Sequence, residues 1–106
     1  MTTRHTLLLI LIGLLFNTAS LAQIAQGNKA YERMAYNSAI SYYERGLEKD
    51  TANMAAWAKL ADCYRRVNNP VNASKVYGMI VRSGTASISE HYYYILSLLQ
   101  TTKYAE

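Results

Sequence analysis

The chain has 106 residues, enough for one ordinary domain. Its formal charge of +4 is mild, whereas nucleic-acid readers concentrate many more cations on one face, so the composition argues against a nucleic-acid partner. The single cysteine, Cys63, excludes an intrachain disulfide; it reads as a small buried filler, and the fold must stand on packing alone.

The segment 1–22 has the three-part layout of a secretory signal peptide. A short basic start containing Arg4 leads into an apolar run from Leu7 to Phe16, interrupted by Gly13, and then into Ser20-Leu21-Ala22. Small side chains at Ser20 and Ala22 suit a signal peptidase, which places the predicted cut before Gln23. Crossing a ~30 Å hydrocarbon core takes about 20 apolar residues. The run is about half that length, so no membrane span is expected once residues 1–22 are gone. No Cys follows the run to carry a lipid. The remaining segment, 23–106, has a formal charge of +3 and is expected to be exported to the periplasm or cell envelope.

From Gln23 onward the apolar pattern is helical, interrupted by short turn-forming clusters. It predicts helices over 23–34, 37–49, 53–66, 70–82 and 88–101, and no strand. Asn53 is positioned to cap the third helix. Asn69-Pro70 sets a capping side chain before a proline at the first helical position, where a missing N–H costs nothing. Gly84 can take the left-handed conformation that ends the fourth helix. Ser87 and Glu90 have capping-box spacing at the start of the fifth.

One spacing recurs through these helices. Trp57, Leu60, Ala61, Tyr64, Ala73 and Tyr77 stand in one window, and Gly27, Ala39 and Tyr43 precede Ala61, Ala73 and Tyr77 by the same interval. That interval is a period of about 34 residues, the signature of stacked helical hairpins. On these residues the chain resembles the tetratricopeptide repeat (TPR) family. Residues 54–87 match the family pattern well. Residues 20–53 match on Gly27, Ala39, Tyr43 and Gly46, with Gln23 and Gln26 in the places of the usual Trp and Leu, as in a polar amino-terminal cap. Residues 88–106 look like a truncated third repeat, with Tyr94, Ile95 and Leu98 at core positions and Tyr104 in register with Tyr36. Thr51 and Thr85 stand where the family often has Pro, and Ile80 and Ile95 where small residues are usual.

The resemblance implies an all-α right-handed superhelix of antiparallel helix pairs, about two and a half repeats long, with a concave groove along the first helix of each pair. A fainter likeness is to the TPR region at the amino end of exported envelope proteins that carry a peptidoglycan-binding OmpA-like domain. Ile95, Leu96, Leu98 and Leu99 fall in a helix without its pair partner. The expectation is either further repeats or a downstream domain of the same chain, the favoured alternative, or pairing with another chain through the fifth helix.

Family geometry places Asn28, Tyr31, Glu32, Ala58 and Asp62 on or near the concave face, together with Arg65, Arg66, Tyr92, Leu96 and Leu99. Arg65 and Arg66 beside Tyr31 and Tyr92 are the expected receptors for an extended peptide bearing a carboxylate and an aromatic or apolar anchor. A carboxylate clamp of the chaperone-binding type is not expected, since Ile24, Ser89 and Tyr93 occupy places that call for polar or cationic side chains. Catalysis and cofactor binding find little footing: His91 stands apart, Cys63 lacks a base, and no glycine-rich phosphate loop is present. The function expected is a non-catalytic protein-protein interaction scaffold. The alternatives are a structural spacer for a downstream envelope-binding domain and a regulatory arm of an exported enzyme.

Overall fold

A computed structural model describes residues 2–105, with side chains at 3–7 and 18–103. The side chains of most of the apolar run, 8–17, and of Tyr104 lie outside the described residues. The architecture is all-helical, with no strand among the described residues: α1 (Thr2–Glu32), α2 (Tyr36–Leu47), α3 (Met54–Arg66), α4 (Pro70–Ser83) and α5 (Ile88–Ala105). Each helix packs on the next, and α1 also reaches α3. Among the described residues no helix is long and apolar enough to cross a membrane.

The first helix differs from expectation. It starts at Thr2 rather than Gln23 and passes through the predicted cut without a break, because no proline or turn cluster separates the two segments. Ser20 is buried and its hydroxyl donates to the Gly46 carbonyl at 2.7 Å. One turn later Ile24 is also buried, and a Cβ on Gly46 would come within 2.6 Å of its side chain. Ile24 is thus a core residue of the α1–α2 contact.

The predicted start and stop chemistry is realised at α3, α4 and α5. The Asn53 side chain accepts from the Ala56 amide, and that of Asn69 from the Asn72 amide. Ser87 and Glu90 exchange reciprocal bonds of 2.9 and 3.1 Å. Gly84 ends α4 at φ +81°. The backbone itself repeats with the period of the sequence. Met34 and Asn68 both adopt the left-handed conformation, at φ 61° and 59°. At the first, Met34 N–H bonds to Tyr31 and Ala35 N–H to Ala30; at the second, Asn68 bonds to Arg65 and Asn69 to Tyr64. Both turns therefore close α1 and α3 by the same Schellman pattern.

The core is built from small residues that admit tyrosines. Tyr43 and Tyr77 are almost fully buried beside Ala39, Ala61 and Ala73, each of which is inaccessible to solvent. Gly27 approaches Tyr43 so closely that a Cβ there would lie 2.7 Å from the ring. Cys63 and Leu60 fill the α3 side, and Ile80 fills the α4 side. Two of the expected core positions of the third repeat are exposed: Ile95 at 58% and Leu98 at 44%. They point to the side of α5 that no helix among the described residues covers.

Candidate functional site

A groove of about 360 Å³ opens where α1, α3, α4 and α5 meet, and Asp62 stands at its centre. Asp62, Arg65 and Arg66 share one face of α3 because they are spaced i, i+3 and i+4. Arg65 Nη2 donates to Asp62 Oδ1 at 2.5 Å, and Arg66 Nε donates to Oδ2 at 2.8 Å. From α1 the Tyr31 hydroxyl donates to the same Oδ2 at 2.6 Å. Burial pushes Asp62 upward, but the hydrogen bonds from Tyr31, Arg66 and Arg65 outweigh it and hold the carboxyl below its ordinary value. The bond to Asp62 in turn lifts the Tyr31 hydroxyl from 10.0 to about 12.

Aromatic faces complete the walls. The Arg65 guanidinium lies 4.1 Å from the centroid of Tyr93, and Arg66 lies 5.1 Å from that of Tyr36. Tyr77 and Tyr93 stand 6.0 Å apart. Beside them Asn28 Oδ1 accepts from the Tyr43 hydroxyl at 2.6 Å and from Lys59 Nζ at 3.2 Å, while Lys59 also lies 5.8 Å from the Tyr31 ring. Two buried atoms of groove-lining residues, Arg65 Nε and Glu90 Oε2, have no hydrogen-bond partner among the described residues.

Tyr31, Ala58, Asp62, Arg65 and Arg66 are therefore brought together in one groove, with Asn28 at its flank through Lys59. The other predicted residues fall elsewhere. Tyr92 is 61% exposed and meets the groove only through an edge contact with Tyr93 at 5.5 Å. Leu96 and Leu99 line a separate, more apolar depression with Gln100, Thr102 and Lys103. The tyrosine on the groove is Tyr93, because three consecutive tyrosines must spread over different faces of α5. Asp62 engages both arginines, Arg65 from within the groove, whereas Arg66 spends only its Nε on Asp62 and keeps a side chain 43% exposed at the rim.

Sequence reasoning missed Lys59 and Glu90. Lys59 stands three residues before Asp62 and seven before Arg66, a spacing that marks it for the same face. Glu90 is legible as a cap, but its place in the groove lining has no signal in the sequence. No protein-family profile, no curated protein and no solved structure matches this chain.

Proposed function

We propose that this chain is a non-catalytic protein-protein interaction scaffold of the tetratricopeptide type, exported to the periplasm or cell envelope, that holds a protein or peptide in the groove centred on Asp62. The observation that carries the reading is the groove wall. Tyr31 and Tyr93, both partly exposed, supply contact area at low conformational cost over a floor that includes the buried Tyr77, and Lys59 and Arg66 add cations at the rim. With Asp62 engaging Arg65 from inside, Lys59 and Arg66 are the residues left to meet an acidic group on the ligand. The matched repetition of sequence and of helix-closing turns supports a right-handed stack of antiparallel helix pairs. Export rests on residues 1–22 alone, and mass spectrometry of the mature amino terminus checks it: a chain beginning at Gln23 is expected.

The test is binding of extended, aromatic-bearing acidic peptides by fluorescence anisotropy, with wild type compared to Lys59→Ala/Arg66→Ala and Tyr93→Ala. Weakened binding with unchanged helicity is the expected result, and unchanged affinity in both variants removes the groove from the site. One observation favours the spacer alternative, in which the repeats only position a downstream domain. The Asp62 carboxylate is paired within the fold, so the cluster serves cohesion without any ligand.

A further inference from the structure

We infer that folding closes the predicted cut: the bond between Ala22 and Gln23 is open to a signal peptidase only while α1 is undocked from α2, so processing must precede folding. The inference rests on the reading of residues 1–22 as a leader. In the fold that bond lies well inside α1, with helix on both sides of it.

A peptidase that checks the small side chains of Ser20 and Ala22 together reads them from one side of the substrate. Residues two apart share a side only where the backbone is extended, because side chains alternate along a strand. In a helix of 3.6 residues per turn they stand about 200° apart. The fold holds them in that second arrangement: Ser20 is 5% exposed and bonded to α2, whereas Ala22 is exposed. Cutting therefore requires α1 to unwind across these residues.

The packing of the same turn opposes that unwinding. Ser20 Oγ donates to the Gly46 carbonyl at 2.7 Å. A Cβ on Gly46 would lie 2.6 Å from Ile24 Cγ1 and 3.2 Å from both the Ile24 nitrogen and the Ser20 carbonyl oxygen, so the backbones of α1 and α2 meet at the residues that flank the cut. Ile24 is buried, and so is Gln23 Oε1, on the far side of the scissile bond. One turn further on, Gly27 continues the contact against the Tyr43 ring. Freeing the stretch withdraws Ser20 and Ile24 from α2 together and opens helical backbone bonds on either side of the cut. The order of events follows. A chain cut first folds with α1 beginning at Gln23, whereas a chain that folds first keeps its leader.

Cutting of the full chain by purified signal peptidase, with release of residues 1–22 followed by mass spectrometry, tests the order. Chain diluted from urea directly into peptidase should be cut promptly. Chain given time to fold first should be cut about tenfold more slowly, because proteolysis then tracks the small population in which α1 is open. Ser20→Ala keeps a side chain that the peptidase accepts and removes the bond to Gly46. It should speed cutting of the folded chain about two- to tenfold and leave the rate for the unfolded chain unchanged. Gly46→Ala, which sets a methyl between α1 and α2, should speed cutting of the folded chain as well. Circular dichroism before peptidase is added establishes that each chain has folded. Equal rates for folded and unfolded wild type overturn the inference and leave the leader reading standing. Equal protection of folded wild type and Ser20→Ala overturns the contact with Gly46 as the lock. An unfolded chain that is never cut before Gln23 overturns the leader reading, and the inference with it.

Discussion

Gly27→Ala is expected to destabilise the fold although it replaces glycine by the best helix former in the interior of α1. On propensity alone the change gains about 0.5–1 kcal/mol. The new methyl would stand 2.7 Å from two carbons of the Tyr43 ring, closer than such contacts allow. The ring cannot turn aside freely, since Tyr43 is fully buried and its hydroxyl is held by Asn28 Oδ1 at 2.6 Å. Forcing a methyl into a packed core costs about 1–3 kcal/mol, and displacing the hydroxyl forfeits a hydrogen bond of about 0.5–1.5 kcal/mol. The net loss is about 1–3 kcal/mol, and each kcal/mol lowers Tm by roughly 4–8 °C in a domain of this size. Urea and thermal unfolding followed by circular dichroism measure it. Tyr43→Leu in the same chain should abolish most of the penalty, giving a coupling energy of about 1–3 kcal/mol in a double-mutant cycle. Gly84→Ala is the control: it is strained by its φ of +81° but meets nothing within 4 Å, so its cost should be indifferent to Tyr43. A Gly27→Ala chain as stable as wild type, or more so, would refute the close-approach reasoning.

Met34 is a non-glycine residue in the left-handed region with its side chain 74% exposed, so Met34→Gly relieves backbone strain without removing packing. A gain of up to about 1 kcal/mol is expected in urea unfolding. Asn69→Ala removes the bond to the Asn72 amide at the start of α4 and should cost about 1 kcal/mol in the same assay. At high pH the fold should loosen. Burial raises Cys63 from 9.0 to about 12 and Tyr77 from 10.0 to about 12, and the bond to Asp62 raises Tyr31 over the same interval. Groups raised in the folded state contribute stability that is complete below their unfolded values and is lost as pH climbs to the folded ones. Alkaline unfolding between about pH 9 and 12, with tyrosinate absorbance lagging that of free tyrosine, is the expected profile.

Most helix boundaries were legible because they rest on local chemistry. Asn53, Asn69-Pro70, Gly84 and the Ser87–Glu90 pair each satisfy or relieve backbone groups within a turn of themselves, so sequence spacing suffices to read them. The start of α2 was read one residue late, since Ala35 at its amino end offers no capping side chain. The path of α1 was hidden for another reason. A signal-like segment and an amphipathic helix have the same local propensity, and the contact of Ser20 with Gly46 joins positions far apart in the chain. In the groove, the face of α3 was readable but the state of its charges was not weighed. Asp62 lies three and four residues before the two arginines, which is itself the spacing of intrahelical ion pairs. The choice between Tyr92 and Tyr93 required the phase of α5, which the packing of α4 and α5 fixes at Tyr94 against Gly78.

The cluster around Asp62 also has a mechanical consequence. Helices that meet only through nonspecific apolar contacts have no directional bond to hold them against sliding. In this chain α1 is tied to α3 through Tyr31 with Asp62 and through Asn28 with Lys59, and α3 is tied to α5 through Arg65 over Tyr93. These ties link α1, α3 and α5 along one edge without passing through α2 or α4. Bending that widens the groove must break directional bonds in series, whereas bending that narrows it meets only side-chain crowding. The three helices should therefore behave as a stiff strut that resists opening of the groove, transmitting load from α1 to α5 rather than absorbing it as a spring.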